Sequence, residues 1–559
     1  MFQIVRKQPV QRALRVFTRG KHHRHHTGRS RPQLISLYSA SALTVGTVVG
    51  YYYGHYEEKP LPYAFPESST TSINDLNSPV YADGASTLMA FKKIKALLDT
   101  DQYSQEQSEL ESHSSNDYST HSPEKHQKPR LVVYPTSTEQ VSEILKIANE
   151  YSVPVVPMSG GTSIEGNFIS TRQGIVLSLS GMDSIISFNK SDLDVCVQPA
   201  VGWQDLNEYL APHGYMIGPD PGPGANIGGM VGTSCSGTNA ARYGTMKDNV
   251  VNLTVVLADG TIVKTKNRPR KSSAGYNLTN LIIGSEGTLG IVTEITVKLH
   301  LKPKYERVSV VSFPRILDAA NTVTELIQNG IQVNAVELLD ENMIHVINDS
   351  GQCKRVWTET PTLFIKLGGN DEKILHHLIN KVEGISSTNN SLSFQFARDD
   401  TESEELWQAR KIGFWSSIEY AKKHVSPDVK VWTTDVAVPI SKMSDVIEET
   451  IAEIKQSNVF FTVLGHVGDG NFHAILIYTP EQYAIVKSLS SNLVRRALAN
   501  DGTCTGEHGV GIVKRKYLEE ELGTTGVDLM RKIKLAVDPK RILNPDKIFK
   551  IDPNDNIDV

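Results

Sequence analysis

Acidic residues are missing from the first 56 positions of this 559-residue chain. The same stretch contains nine Arg and Lys residues. An Arg-rich segment without acid has the composition of a mitochondrial targeting sequence. We therefore predict a mitochondrial presequence over residues 1–33. The alternative is a basic disordered tail.

Charge of either sign is missing from Leu34–Tyr53, a run of twenty residues. About 20 residues suffice for a helix to cross the hydrocarbon core of a bilayer. The run contains many Ser, Thr, Gly and Tyr residues, so it is only weakly apolar. We predict a transmembrane anchor over residues 34–53, in the mitochondrial inner membrane, with the rest of the chain facing the intermembrane space. The alternative is that this run belongs to a cleaved leader.

Cysteine pairs and strong net charge are also missing. The four cysteines form no CxxC pair and no dense framework, so we expect unpaired packing residues. A net charge of −5 gives no indication of nucleic acid binding. The length predicts two or three domains with a large core.

A nicotinamide-binding fingerprint is absent as well. Gly222, Gly224 and Gly228 are spaced GxGxxxG and alternate with prolines, so they do not open a helix directly after a strand. The chain instead has three Gly-rich segments, which we expect to contact a large, extended cofactor: Ser159–Asn167, Gly218–Gly244 and Gly284–Leu299. The first follows a strand and suits a pyrophosphate. For any one of them, a plain turn is the alternative.

The segment Asp101–Lys128, which precedes these loops, has little apolar content. We predict a flexible linker over residues 54–128, with one helix-like piece around Ala90–Leu98. Packed α/β structure begins near Pro129, with Leu131–Pro135 as a buried strand.

The motif GHVGDGNFH, Gly465–His473, predicts a hairpin with candidate metal ligands. With Gly468–Asn471 as the loop, His466 faces His473 across the strands. A second Gly-rich motif, GTCTGEHGVGIVK (Gly502–Lys514), contains Glu507 and His508. Two histidines and one carboxylate suit Zn²⁺ or another borderline divalent ion and leave positions open for substrate, with His508 as a spare base. Alternatively, each histidine is an ordinary polar residue at a strand end.

Arg410 lies on the predicted helix ELWQARKIGFWSSIEYAKK. The sequence leaves two roles open for its side chain. One is an exposed salt bridge; the other is a bidentate clamp for a substrate carboxylate.

The ordered set of motifs resembles the FAD-dependent D-2-hydroxyacid dehydrogenases, a family of vanillyl-alcohol-oxidase-type flavoproteins. The resemblance extends from about Pro129 to Phe549 and rests on these motifs: SGGTSIEGN, RYGT, GSEGTLGIVTE, GHVGDGNFH, GTCTGEHGVG and LNPDK. It implies an α+β fold with a two-part PCMH-type FAD-binding domain and an α+β cap domain. Within the family the chain is most similar to the mitochondrial members that oxidise D-lactate and reduce cytochrome c, and its presequence and anchor resemble the fungal form. The resemblance therefore implies D-lactate as the substrate and cytochrome c as the acceptor.

The resemblance also implies domain bounds and residue roles. It implies an FAD-binding domain over 129–303, a cap domain over 304–500 and a C-terminal segment over 501–559 that returns to the FAD domain. The implied metal ligands are His466, His473 and Glu507, with His508 as base and Arg410 as carboxylate clamp. The implied FAD-contacting residues are Ser159, Gly160, Gly161, Thr162, Ser163, Pro219, Gly228, Gly229, Thr233, Glu286, Gly290, Ile291 and Asn544.

Two departures from the dicarboxylate-oxidising relatives favour a small substrate. Ile475 and Thr433 stand where those relatives place polar or cationic groups. Met158 precedes the SGGTS loop, which has no histidine, so we expect FAD to be held non-covalently. The alternatives are a D-2-hydroxyglutarate or glycolate dehydrogenase of the same family, a metallohydrolase, or a tethered binding protein without catalysis.

Overall fold

The computed structural model describes residues 68–557. The predicted presequence, the predicted anchor and the beginning of the predicted linker lie outside these residues. Between residues 68 and 557, no helix has both the length and the apolar character needed to cross a membrane.

The first sheet in the described part of the chain has four strands. Its order is β1-β2-β4-β3, with β2, β4 and β3 parallel and β1 antiparallel at the edge. The strands are β1 (Tyr103–Ser104), β2 (Leu131–Val133), β3 (Val155–Met158) and β4 (Ile175–Ser178). Between β2 and β3 lies helix α3 (Thr138–Tyr151), whose N-cap Ser137 accepts the Gln140 N–H. The buried strand β2 agrees with the sequence prediction.

The described part of the predicted linker is packed rather than flexible. Helix α1 (Gly84–Lys95) buries Phe91 and Ile94 against the same core as β2 and α3, and helix α2 (Gln107–Ser112) follows β1. The prediction rested on the low apolar content of the segment. A few large apolar side chains on one face of a helix are enough to pack the helix when neighbouring elements supply the rest of the core.

A second sheet of five strands has the order β5-β6-β10-β8-β9 and is antiparallel throughout. Its strands are β5 (Ile185–Asn189), β6 (Asp194–Val197), β8 (Val250–Val256), β9 (Ile262–Lys264) and β10 (Ile291–Lys298). A two-stranded ribbon pairs β7 (Tyr215–Met216) with β11 (His300–Leu301). The accompanying helices are α4 (Trp203–Leu210), α5 (Ile227–Thr233), α6 (Ala240–Tyr243), α7 (Met246–Asn249) and α8 (Leu278–Ile282).

The largest sheet belongs to the segment that the sequence assigns to a cap domain. Its order is β15-β12-β14-β13-β18-β19-β16, all antiparallel, and β17 also pairs with β19. Its strands are β12 (Tyr305–Ser312), β13 (Ala335–Leu339), β14 (Thr362–Gly369), β15 (Ser393–Phe396), β16 (Lys430–Thr433), β17 (Val436–Ala437), β18 (Phe460–His466) and β19 (Asn471–Tyr478).

Helices cover both faces of this sheet. Strand residues such as Phe461 and Val463 pack with α9 (Ile316–Gln328), α11 (Glu372–Thr388), α13 (Met443–Gln456) and α14 (Tyr483–Ala499). Residues on the opposite face, such as Leu464, pack with α10 (Glu341–Ser350) and α12 (Asp400–His424). The period of two along β18 therefore separates the two cores.

The C-terminal segment contacts both preceding parts of the chain. Thr503 bridges to Ala437 of β17, while Leu543 bridges to Val155 of β3. Between them runs α15 (Arg515–Val537), which is kinked at Gly523. This segment therefore joins the first sheet to the largest one.

Candidate active site

The hairpin of β18 and β19 brings His466 and His473 together, but not by the predicted register. His466 pairs with Asn471, and His473 pairs with Leu464, so the turn is Val467–Gly470. The predicted facing of His466 and His473 is wrong: the turn begins one residue earlier than predicted, so the partner of His466 is Asn471, two residues before His473. The two imidazoles still share a face, because Asn471 and His473 are two residues apart. Their ring centroids lie 5.5 Å apart.

Glu337 on β13 orients both a predicted ligand and the predicted clamp. It is the cross-strand partner of His466 in the sheet register. One carboxylate oxygen accepts the His466 Nδ1 hydrogen bond at 2.7 Å, and the other accepts Arg410 Nε at 2.7 Å. Arg410 is therefore in a salt bridge, as one of the two predicted roles requires, but its side chain is only 15% exposed.

Glu507 lies between the two histidines. Its Oε1 is 3.1 Å from His466 Nε2 and 3.4 Å from His473 Nε2. Its Oε2 accepts hydrogen bonds from Ser236 Oγ and from the Gly237 N–H. The three predicted metal ligands thus converge, although Glu507 comes from a different part of the chain.

The protonation of His473 is constrained by its neighbours. Its Nδ1 lies 2.9 Å from the Thr434 carbonyl oxygen, which only accepts, so Nδ1 carries the proton. In a neutral ring, Nε2 then presents a lone pair to the Glu507 carboxylate. Two facing acceptors require a proton or a cation between them. One donor atom from each of His466, His473 and Glu507 lies within 4.8 Å of the other two, which fits a divalent ion.

Burial and charge act against each other in this cluster. Burial lowers the pKa of His466, but the carboxylates of Glu337 and Glu507 outweigh it and raise that pKa well above the usual value. Burial raises the pKa of Glu507, yet the charge of His466 and hydrogen bonds from His466 and His473 hold it well below its usual value. The cluster therefore favours an ionised Glu507 carboxylate beside a positive charge.

His508, the predicted base, lies next to this cluster. Its ring is stacked on His473, with centroids 5.1 Å apart and planes 13° apart. Its Nδ1 is 3.4 Å from a carboxylate oxygen of the buried Glu165. Burial lowers the pKa of His508, but Asp435 and Glu165 leave it above the ordinary value.

The first two Gly-rich segments meet near the start of α5. A Cβ on Gly160 would lie 3.0 Å from the Gly224 carbonyl oxygen, and Gly229 lies close to Ser159. Gly161 has φ +64°, a conformation that favours glycine. The predicted residues Ser159, Gly160, Gly161, Thr162, Ser163, Gly228 and Gly229 are partly or fully exposed here. Exposed backbone and hydroxyl groups at this place fit a pyrophosphate-bearing cofactor.

Other predicted cofactor residues lie behind these loops. Glu286 is buried and accepts the N–H groups of Val510 and Gly511 and the Asn167 amide. Asn544 donates to the backbone carbonyls of Asn167 and Glu286.

Neighbouring predicted positions are also packed or locally bonded. Ile291 is fully buried in the core of the first sheet, and a Cβ on Gly290 would overlap Val255. Pro219 is buried at the start of the second Gly-rich segment, while the Thr233 hydroxyl, at the end of α5, donates a hydrogen bond to the Gly229 carbonyl oxygen. Their FAD contacts stay predictions.

Several residues of the site were not singled out from the sequence. Asp435 follows β16 and accepts hydrogen bonds from the Glu507–His508 turn. Lys514 and Glu165 form an ion pair beside it. Glu337 bonds to the side chains of His466 and Arg410. Glu165 carries one usable signal, since it lies inside the SGGTSIEGN motif.

Two family descriptions match the chain. "FAD binding domain" matches residues 129–266, and "FAD linked oxidases, C-terminal domain" matches residues 302–548. The second match includes the hairpin, the Glu507–His508 turn and most of the C-terminal segment.

Curated relatives match over most of the chain. The mitochondrial D-lactate dehydrogenase (cytochrome) of Kluyveromyces lactis is 53% identical over 521 residues, covering 92% of this chain and 90% of that protein. The corresponding enzyme 1 of Saccharomyces cerevisiae is 53% identical over 498 residues, covering 88% of this chain and 85% of that protein.

A solved structure shares the fold. The structure of p-cresol methylhydroxylase with substrate bound has a TM-score of 0.69 and 16% identity, covering 86% of this chain and 100% of that chain. This similarity, with the FAD-domain match, confirms the predicted α+β fold with a PCMH-type FAD-binding domain.

Proposed function

The chain belongs to the FAD-linked oxidase family of the mitochondrial D-lactate dehydrogenases (cytochrome), and on that premise we propose that it oxidises D-lactate to pyruvate and delivers the electrons to cytochrome c. The observation that carries the proposal is the convergence of His466, His473 and Glu507 beside His508. A hydroxyacid oxidation needs a group that receives the hydroxyl proton and a group that holds the carboxylate. Both types of group are present at this site.

Arg410 is the proposed carboxylate clamp. Glu337 occupies its Nε, and within residues 68–557 neither terminal guanidinium nitrogen donates a hydrogen bond. A planar pair of N–H donors suits a substrate carboxylate. Because the same Glu337 holds His466, the distance between clamp and ligand is fixed by one side chain.

His508 is the proposed acceptor of the hydroxyl proton. The stacking of its ring on His473 places it beside the ligand cluster, and Glu165 faces its Nδ1. This leaves Nε2 as the nitrogen through which the ring would accept a proton. Its neighbours Asp435 and Glu165 stabilise the imidazolium that results.

Two bound groups complete the proposed site. FAD would lie on the loops around Gly160 and Gly228, non-covalently, and a divalent ion, with Zn²⁺ expected, would lie on His466, His473 and Glu507. When bound, FAD supplies a two-electron acceptor and the ion supplies a Lewis acid. The protein supplies orientation and charge.

The substrate side chain is proposed to be small. Thr433 and Ile475 are direct cross-strand partners on β16 and β19, and Ile475 is fully buried in the core next to α12. Neither residue offers a charge to a second carboxylate. The methyl group of lactate therefore suits this site better than the carboxyethyl group of 2-hydroxyglutarate.

The proposed location is the mitochondrial inner membrane, with the catalytic part facing the intermembrane space. The acid-free start and the uncharged run at residues 34–53 support this location, as do the mitochondrial relatives.

Turnover on three acids tests the substrate assignment. We expect kcat/KM for D-lactate to exceed that for glycolate and for D-2-hydroxyglutarate, measured with cytochrome c as acceptor. A preference for the dicarboxylate would contradict the roles given to Thr433 and Ile475. A colourless purified protein without flavin would instead favour the metallohydrolase.

A further inference from the structure

One buried carboxylate, that of Asp435, gathers the turn that carries Glu507 and His508. Its Oδ2 accepts the backbone N–H groups of Gly506, Glu507 and His508 at 2.8, 3.0 and 3.0 Å. The Thr505 hydroxyl donates to the same oxygen at 2.7 Å. Three successive amides on one anion form a concave binding arrangement that fixes the backbone of the turn.

Asp435 is itself fixed on its other side. Asn471 Nδ2 donates to Asp435 Oδ1 at 2.8 Å and to the Val436 carbonyl oxygen. Asn471 is the first residue of β19, two positions before His473. The carboxylate therefore connects the hairpin that carries the two histidines to the separate segment that carries Glu507.

A buried lysine supports the charge of Asp435. Lys514 Nζ lies 3.3 Å from Asp435 Oδ2 and 3.0 Å from Glu165 Oε1. Burial raises the pKa of Asp435, but Lys514 and the nearby His508 and His473 hold that pKa well below its usual value. Glu165 belongs to the FAD-domain loop, so Lys514 joins that loop to the cap sheet.

We propose that Asp435 is a positioning residue that sets Glu507 and His508 against the hairpin histidines. This inference rests on the proposed function, because it assigns Glu507 and His508 the roles given above. It predicts that loss of the Asp435 carboxylate displaces the ligand Glu507 and the base His508 together. The substrate carboxylate stays on Arg410, which Glu337 holds separately.

The test is Asp435→Asn in the full-length holoenzyme. An amide has only one acceptor atom, and its NH₂ group would face other donors. We expect kcat per bound flavin to fall by about 10–100-fold and metal retention during dialysis against a weak chelator to weaken, as for other residues that orient metal ligands. KM for D-lactate and flavin content should stay close to wild type.

Asp340→Asn is the matched control. Asp340 is also fully buried in the cap domain and accepts two backbone N–H groups, from Met343 and Val463. It should lower thermal stability without changing kcat per flavin or metal content. Equal loss of kcat per flavin in both variants would overturn the positioning role.

Two further variants separate positioning from charge balance. Under the proposal, Asp435→Asn combined with Lys514→Met stays impaired, because the single amide oxygen cannot accept from both the turn amides and Asn471. Recovery of kcat per flavin and of metal retention in that double variant would overturn the positioning role of Asp435. Thr505→Val keeps the side-chain shape and removes one donor, so kcat should fall by roughly 2–12-fold; an unchanged kcat and metal content would contradict the proposal even if Asp435→Asn does not fold.

Metal and flavin contents are measured without turnover. These contents therefore test the role of Asp435 separately from the substrate assignment. The substrate assignment would be contradicted if the wild-type enzyme did not oxidise D-lactate.

Discussion

At the scale of single residues, carboxylates set the geometry of this site. Glu337 holds His466 and Arg410, and Glu507 lies between the two hairpin imidazoles. Each ring has one nitrogen committed to an oxygen acceptor, which leaves the other nitrogen directed at Glu507. This arrangement is typical of histidines that bind a metal.

Glu337→Gln should impair two functions at once. The amide NH₂ of Gln would face either the His466 Nδ1–H or the Arg410 Nε–H, both of which are donors. We expect metal affinity to fall by about 10–100-fold and KM for D-lactate to rise. Metal titration and steady-state kinetics measure the two effects.

Glu402→Gln is the control for that experiment. Glu402 lies on the same helix as Arg410 and pairs with Arg355 and Arg398, away from the site. Metal affinity and KM should be unchanged in this variant. A Glu337→Gln enzyme with wild-type values for both would contradict the coupling of ligand and clamp.

The sequence predicted four residues of this site from local motifs and missed Glu337 and Asp435, which have none. His466, His473, Glu507 and His508 lie in two Gly-rich motifs, and the structure brings them together. Glu337 and Asp435 are two of 62 acidic residues, and neither has a local pattern that sets it apart. Their roles depend on strand pairing between distant segments, which spacing along the chain does not give.

At the scale of elements, the turn between β18 and β19 determines where the histidines lie. Gly470 has φ +76°, and a Cβ there would lie 2.1 Å from the Val438 carbonyl oxygen. The turn therefore needs glycine for its backbone conformation and for close contact with the residue after β17. The predicted hairpin was right in kind, but its register depended on this packing.

Gly470→Ala should destabilise the enzyme more than an ordinary left-handed glycine would. Gly330→Ala is the control, since Gly330 has φ +67° with no atom within 4 Å of the added Cβ. We expect a cost of about 1–2 kcal/mol at Gly330 from backbone strain alone. At Gly470 the overlap should add roughly 1–3 kcal/mol. Similar melting temperatures for the two variants would contradict the close contact.

Helix α1 gives a second test at this scale. Ile94 is fully buried with Leu131 and Ile144, so Ile94→Ala should cost about 2–5 kcal/mol. Leu88→Ala on the same helix, where the side chain is 60% exposed, should stay within about 0.5 kcal/mol. Thermal unfolding measures both. If Ile94→Ala is as stable as wild type, this segment is the flexible linker that its composition predicts.

At the scale of the whole molecule, the site forms where three parts of the chain meet. The hairpin comes from the large sheet, Glu507 and His508 come from the C-terminal segment, and Glu165 comes from the FAD-domain loop. The sequence predicted the fold class because its motifs occur in family order. It did not predict how tightly the parts are joined, because that depends on buried contacts such as Lys514 with Glu165 and Asp435.

The most direct test of the proposed function separates its two half-reactions. Purified enzyme is mixed anaerobically with D-lactate or L-lactate while flavin absorbance is followed, and oxidised cytochrome c is then added. We expect D-lactate, but not L-lactate, to bleach the flavin, and cytochrome c to restore its colour as it is reduced. A flavin that stays oxidised with D-lactate, or that cytochrome c does not reoxidise, would contradict the proposed function.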